Sequence, residues 1–439
     1  MKRLDRSSPK AHDNRHPSNK GFGLSTKTLT PPTQETPYYV KALAMALPAV
    51  MLGLQITGWI FFLPGAIKGH CDFRHLYTAG YMVRTGHRRE LYDYSAEQKF
   101  QNNLVSQESI ALPFNHLAYE SLIFVPYSFL SYRSAYFLFL ATNVLLLGLA
   151  MRWMAPRTNN LRRIFLWLPA AIFVTFLPVV AALMQGQDSI ILLLLISGAL
   201  ALLSSGRMLS AGVLVGLGLF KFQIVVPLAL LFLLWRRWRF VGGFALSAAA
   251  VVAVSAYLVG TVQMTVYAHS LLSMSVLETA IDQAKFNINP IMMPNLRGII
   301  SATFGRFVPL AWTQVLTGIA SLAALLWIAI TGIRRESSRQ FMLAVSAGAL
   351  LSYHLIIHDL SILSIPLVVI LGSCTSSSQL DSAAAAVSAL MFSAPAVIAL
   401  TPARPYLVGL PVLLFVAVLS VGGSRPPLKN VRSGLEECI

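Results

Sequence analysis

The chain is short of charge, of acid and of cysteine. Only 12% of its 439 residues are charged, with 17 Asp or Glu against 34 Lys or Arg. A soluble domain carries about twice that share of charge, so a fully water-exposed surface is excluded. Three cysteines, Cys71, Cys374 and Cys438, give no disulfide framework. Cys71 beside Asp72 reads as an ordinary small residue rather than a thiol nucleophile. Strand-like alternation is not evident, which sets aside a transmembrane barrel. No internal repeat is visible, which counts against a transporter built from inverted halves.

What the chain has instead is apolar sequence, 56% of it. Stretches of about 17–25 apolar residues recur from end to end, and each can span a bilayer as a helix. The expected fold is all-α, a polytopic transmembrane helical bundle with about ten to thirteen spans. The net charge of +17 does not point to nucleic acid. Arg152, Arg157, Arg162 and Arg163, then Arg236, Arg237 and Arg239, then Arg334, Arg335 and Arg339 punctuate the apolar segments. That is the positive-inside pattern of cytoplasmic loops.

Residues 1–36 are basic and polar and are expected to form a disordered cytoplasmic tail. The apolar run at 39–67 is too long and too deep in the chain for a signal peptide, so it is expected to be an uncleaved first span. The membrane domain covers 37–423, with a first outer loop at 68–115, a second at 260–306, and a short cytoplasmic tail at 424–439. Residues 68–115 should form short surface helices. Residues 117–151 contain Pro126 and Arg133 and allow either two crossings or one crossing plus a surface piece; charge bias favours the latter.

Four polar islands should converge on the outer face: Asp72 with His70, Arg74, His75 and Tyr77; Gln185-Gly186-Gln187-Asp188; Lys221, between two short apolar halves; and Tyr353-His354 with His358-Asp359. A carboxylate at the mouth of a span is costly unless solvated, paired or functional. As a general base, Asp72 would take the proton of an acceptor hydroxyl. No acidic partner is needed if the leaving group is a phosphate. Lys221 either contacts an anion or snorkels to an interface. His354 and His358, at i and i+4, would share a helix face. They and Asp359 have no clear further metal ligands, so hydrogen bonding to a polar substrate is favoured over metal binding. No cofactor is expected, and a divalent ion is not favoured.

The stretch Asp72-Phe73, Tyr77-Thr78-Ala79-Gly80, Gly86 and Leu91-Tyr92-Asp93 with Gln98 and Gln101 resembles glycosyltransferase family 87. The likeness continues through Pro113-Phe114, Pro126, Gly186-Gln187, Ala211-Gly212 to Lys221, and Ser352-Tyr353-His354 with His358-Asp359-Leu360. The chain departs from the family pattern at Asn115-His116-Leu117-Ala118-Tyr119-Glu120 and at Asp188-Ser189. The resemblance implies a GT-C fold and a mannosyltransferase-like enzyme. It would move a hexosyl or pentosyl group from a polyprenyl-phosphate-linked sugar donor to a lipid or glycan acceptor, with inversion. It implies Asp72 as the catalytic base, and Lys221, His354 and His358 as groups holding donor phosphate or sugar. Tyr77, Gln185, Gln187 and Asp359 complete the candidate substrate-binding set. The expected place is a bacterial inner membrane, with the site facing the periplasm and membrane lipids around it. Two other readings are a polytopic transporter or lipid flippase, and a non-catalytic subunit of a cell-envelope complex.

Overall fold

A computed structural model of the protein describes residues 36–275, 289–373, 379–396 and 404–421. The expected tails lie outside the described residues but for Thr36, as do Cys374 and Cys438. Among the described residues all regular structure is helical. Four helices are long and apolar enough to cross a membrane: Tyr38–Ala66, Tyr132–Arg157, Trp238–Val259 and Leu310–Gly332. Two bent pairs add up to two more, Leu168–Thr175 with Leu177–Gln185 at 54°, and Met208–Leu217 with Leu219–Leu234 at 66°. Shorter apolar helices cover Ser189–Ser204, Ile357–Ser373, Ala383–Ser393 and Pro405–Val421. The ten to thirteen expected crossings are therefore reached only if the short helices are counted with the rest. An apolar run records hydrophobicity but not the breaks that shorten its helices. Between 117 and 151 there is one long helix, preceded by short turns at Ala118–Glu120, Ser121–Phe124 and Tyr127–Phe129.

Both bends leave a backbone carbonyl without its helical donor, which is untenable in hydrocarbon unless another group supplies one. Pro178 lacks the N–H that would continue the first helix, and Val179 N–H turns from the Thr175 carbonyl to that of Phe176 at 2.9 Å. The carbonyl of Thr175 is taken instead by the amide of Gln55, a buried polar residue of the first span. At the second bend the carbonyl of Leu217 accepts from the Tyr119 hydroxyl at 2.7 Å, and the Tyr119 hydroxyl oxygen in turn accepts from Phe220 N–H at 3.0 Å.

Helices Met208–Leu217 and Trp238–Val259 touch backbone to backbone. A Cβ on Gly212 would meet the Phe240 carbonyl at 2.0 Å, and one on Gly243 would meet the Leu209 carbonyl at 2.0 Å. Small residues spaced by four are what membrane helices use to approach this closely. Helix Ser337–Leu351 forms the centre of the bundle and is buried on all sides from Gln340 to Leu350. The first span and Leu310–Gly332 are apolar yet mostly exposed, as expected for lipid-facing helices.

The first outer loop contains the helices Phe73–Arg84 and Tyr94–Leu104. Buried Arg74 holds it together, its guanidinium donating to Gln101 Oε1 at 2.9 Å, Ser106 Oγ at 2.7 Å and Asn102 Oδ1 at 2.9 Å. In the second expected loop, 260–306, the described residues form the helices Thr261–Ser275 and Leu296–Phe304.

Candidate active site

Asp72 immediately precedes the helix Phe73–Arg84, whose first residue is anchored in an aromatic cluster. Phe73 stacks on Phe139 with ring centroids 5.3 Å apart and meets Tyr132 and Tyr136. Gly186 lets this helix start close against the turn 185–188. It ends helix Leu177–Gln185 with φ +60, and a Cβ there would meet Phe73 Cβ at 2.7 Å. Only glycine satisfies both conditions. The approach places Gln187 beside Asp72, so the Gln187 amide donates to Asp72 Oδ2 at 2.6 Å. Lys221 donates to the other end of that amide, Gln187 Oε1, at 3.4 Å. The ammonium thereby fixes which end of the amide faces the carboxylate.

Lys221 lies at the second bend and is 3% exposed, so it does not snorkel. Its Nζ is 3.0 Å from Asp188 Oδ1 and 3.2 Å from Asp359 Oδ1. Asp359 also accepts from Ser189 Oγ at 3.1 Å and from Ile356 N–H at 3.2 Å. Behind Asp188 sits His116, with Nδ1 3.3 Å from Asp188 Oδ2 and in hydrogen-bond contact with Glu120 Oε2. His358 closes the arrangement, with its ring nitrogens 3.8 Å from Asp72 Oδ2 and 3.6 Å from Asp359 Oδ1. These two distances are too long for hydrogen bonds but short enough for electrostatic coupling.

Asp72, Gln187, Lys221, His354, His358 and Asp359 line one cavity of about 110 Å³, together with His75 and His116. Four of the chain's nine histidines therefore meet at one place. Burial pushes His116 and His354 down to about 4 from the ordinary 6.5, with nearby carboxylates offsetting only part. Burial and the neighbouring His116 push His75 well down. These three rings are neutral at pH 7 and act as hydrogen-bonding groups, not cations. Burial and the Asp188 charge push Glu120 up. A second cavity, about 530 Å³, is lined by Phe62, His70, Arg74, Glu108, Ile110 and Gln185 among others, and Asp72 lines this one too.

Two expectations are corrected. Tyr77 is not at either cavity; its hydroxyl donates to the Leu130 carbonyl at 2.8 Å within the aromatic cluster. His354 and His358 do not share a helix face. Helix Ser337–Leu351 ends before them, Ile356 is extended, and a new helical turn starts only at Ile357. Asn295 Nδ2 fixes this break by donating to the Ser352 carbonyl at 2.6 Å. Both histidines still reach the cavity. Gln185 lines the second cavity rather than the first. Sequence reasoning missed His116 and Glu120 as site residues and left His75 and Asp188, both within its polar islands, without a role. The i, i+4 pair His116 and Glu120, at the edge of an apolar segment, was the available signal.

His116, Glu120 and Asp188 each offer one ligand atom, all within 4.8 Å of one another, and could hold a divalent ion. The Lys221 ammonium 3.0 Å from Asp188 already supplies positive charge there and opposes a second cation.

Fold and site thus define a multi-pass helical membrane protein with a polar, histidine-rich cavity built from elements far apart in sequence. The model of glycosyltransferase family 87 matches residues 120–357, just over half of the chain, and the chain belongs to that family. Gln185, Gln187, Lys221 and His354 lie inside the matched segment, whereas Asp72 and Tyr77 precede it and His358 and Asp359 follow it. No curated protein and no solved structure matches the chain. The protein is a membrane glycosyltransferase.

Proposed function

We propose that this enzyme moves a glycosyl group from a polyprenyl-phosphate sugar to a hydroxyl of a glycolipid or glycan on the outer side of a bacterial inner membrane, with Asp72 as general base. The observation that carries this reading is the position of Asp72. Of the four carboxylates in the network it is the one whose side chain is substantially exposed, 25%, and it lines both cavities. Two substrates, one in each cavity, would meet at its carboxylate.

In the proposed step the acceptor hydroxyl oxygen forms a bond to the anomeric carbon while Asp72 takes its proton. The bond from that carbon to the phosphate oxygen breaks, and the isoprenyl phosphate leaves with the bonding electrons. Attack opposite the leaving group inverts the anomeric centre. Gln187 holds the base in place through its 2.6 Å hydrogen bond. His358, 3.8 Å from Asp72, faces the same carboxylate and is placed to orient a sugar hydroxyl. The chemistry needs no metal, and Lys221 takes the cation position beside Asp188. The donor sugar is a hexose such as mannose, or a pentose.

The test is transfer of radiolabelled sugar from isoprenyl-phosphate donors by the purified protein, with chelator present throughout. Asp72→Asn should lower turnover by about 10²–10⁴-fold with the melting temperature unchanged. Retained turnover in that variant would remove the base assignment. Loss of wild-type transfer in chelator would overturn the metal-free mechanism.

A further inference from the structure

A phosphate entering the cavity finds its one lysine already engaged. Among the described residues Lys221 is the only lysine or arginine lining it, and two carboxylates hold it at 3.0 and 3.2 Å. Asp72 and Asp359 add negative charge to the lining, and His116 and His354 are neutral. An anion placed against Lys221 would therefore also meet the repulsion of the two carboxylates beside it.

One buried cation beside the cavity has no such partner. Arg297, 7% exposed, stands in the first turn of helix Leu296–Phe304. One guanidinium nitrogen donates to the Tyr353 carbonyl at 2.6 Å, and the guanidinium carbon lies 6.0 Å from the Tyr353 ring centroid. Among the described residues Arg297 forms no ion pair, and its remaining nitrogens make no hydrogen bond. Tyr353 in turn lines the cavity with Phe222, their ring centroids 5.8 Å apart. The helix is tied to this wall, because Asn295 caps it through Gly298 N–H at 3.0 Å and also donates to the Ser352 carbonyl. A buried guanidinium without a counter-ion is costly. Its planar fork suits a phosphate's paired oxygens.

We infer that Arg297 is the phosphate-binding residue of this site. Its free guanidinium edge, beside Tyr353, takes the anionic oxygens of an isoprenyl-phosphate head group, while Lys221 stays locked to Asp188 and Asp359. This rests on the reading of the donor as an isoprenyl phosphate, and it is tested by binding rather than by turnover.

The full-length protein in detergent is titrated with farnesyl phosphate and with farnesol. Arg297→Gln should weaken farnesyl phosphate roughly ten- to a hundredfold, the range for losing a charge-assisted hydrogen bond, and leave farnesol unchanged. Arg297→Lys, which keeps the charge and loses the fork, should fall between the two. Should Arg297→Gln not fold, the lysine variant decides the matter: unaltered farnesyl phosphate affinity there would overturn the inference, as it would in Arg297→Gln. Equal weakening of farnesol in either variant would also overturn it, because the side chain would then be supporting the cavity wall. Competition by dioleoylphosphatidylglycerol at equal strength, lost in Arg297→Gln, would support the anion site with bulk lipid as its source of phosphate. Asp72→Asn, which takes one negative charge out of the lining, should bind farnesyl phosphate at least as tightly as the wild type does. If it does so yet still turns over, the base assignment fails and Arg297 stands.

Discussion

The site has a rim and a floor, and they obey different rules. At the rim Asp72 is partly exposed, held by one hydrogen bond from Gln187, and shared by two cavities. On the floor Asp188 is fully buried and Asp359 nearly so, and both are bound to a lysine that is itself buried. A carboxylate that must accept a proton needs access. A carboxylate that holds helices together needs a permanent counter-charge. The chain places both kinds within one connected network, so a charged residue in a membrane protein is not by that fact a reacting group. Lys221 illustrates this: it joins the turn before helix Ser189–Ser204 to the turn 357–363 through the second bend.

The largest expected effect comes from breaking the floor. Lys221→Met would leave two buried carboxylates with no cation between them. Removing one partner of a buried ion pair costs about 3–5 kcal/mol. The variant should therefore melt well below the wild type, and its transfer activity should fall with its folded fraction. Asp72→Asn should do the reverse, losing turnover at an unchanged melting temperature. Equal thermal stability of wild type and Lys221→Met would mean that the floor is not structural, and the distinction between the two regions would fail.

A smaller effect tests how dry the floor's edge is. His354 has its ring pushed down to about 4 from an ordinary 6.5 by burial, against the opposing pull of Asp359. Between these values the unfolded chain takes up a proton that the folded chain refuses. Stability therefore falls as pH drops from about 6.5 towards 4. His354→Gln removes this contribution, so its melting temperature should fall less steeply than the wild type's over that window. Parallel slopes, measured by thermal shift from pH 7 to 4.5, would show that the ring is hydrated.

The helical membrane fold was legible because hydrophobic run length and arginine placement are local properties of the chain. The bend at Lys221 was legible for the same reason, since two short apolar halves flank it. The breaks were less so. Gln55 in the first span reaches Thr175, and Tyr119 reaches Leu217, so the groups that make each bend tolerable are remote in sequence. The convergence of Asp72, Gln187, Lys221, His358 and Asp359 was foreseen from their common side of the membrane. The pairings among them were not, since Lys221 was read as contacting an anion or snorkelling, with no sign that Asp188 and Asp359 are the carboxylates beside it. His116 and Glu120 lie where the chain departs from the family pattern it otherwise resembles. A reading guided by that resemblance passes over them, although physically they are the acid and imidazole behind Asp188.

Tyr77 provides the smallest effect and the sharpest check on which residues belong to the site. It stands five residues after Asp72, in the helix that Asp72 precedes, and its sequence context alone would place it with substrate. In the fold its hydroxyl is taken by the Leu130 carbonyl, and its ring packs edge-on to Tyr132 at 5.5 Å. Tyr77→Phe keeps the ring and deletes one hydrogen bond, leaving a carbonyl unsatisfied, which costs about 1 kcal/mol. The expected result is a small drop in melting temperature with the transfer rate per folded molecule unchanged. A fall in donor or acceptor affinity at constant stability would place the Tyr77 hydroxyl at a substrate, and would move the boundary of the rim one helical turn further along Phe73–Arg84.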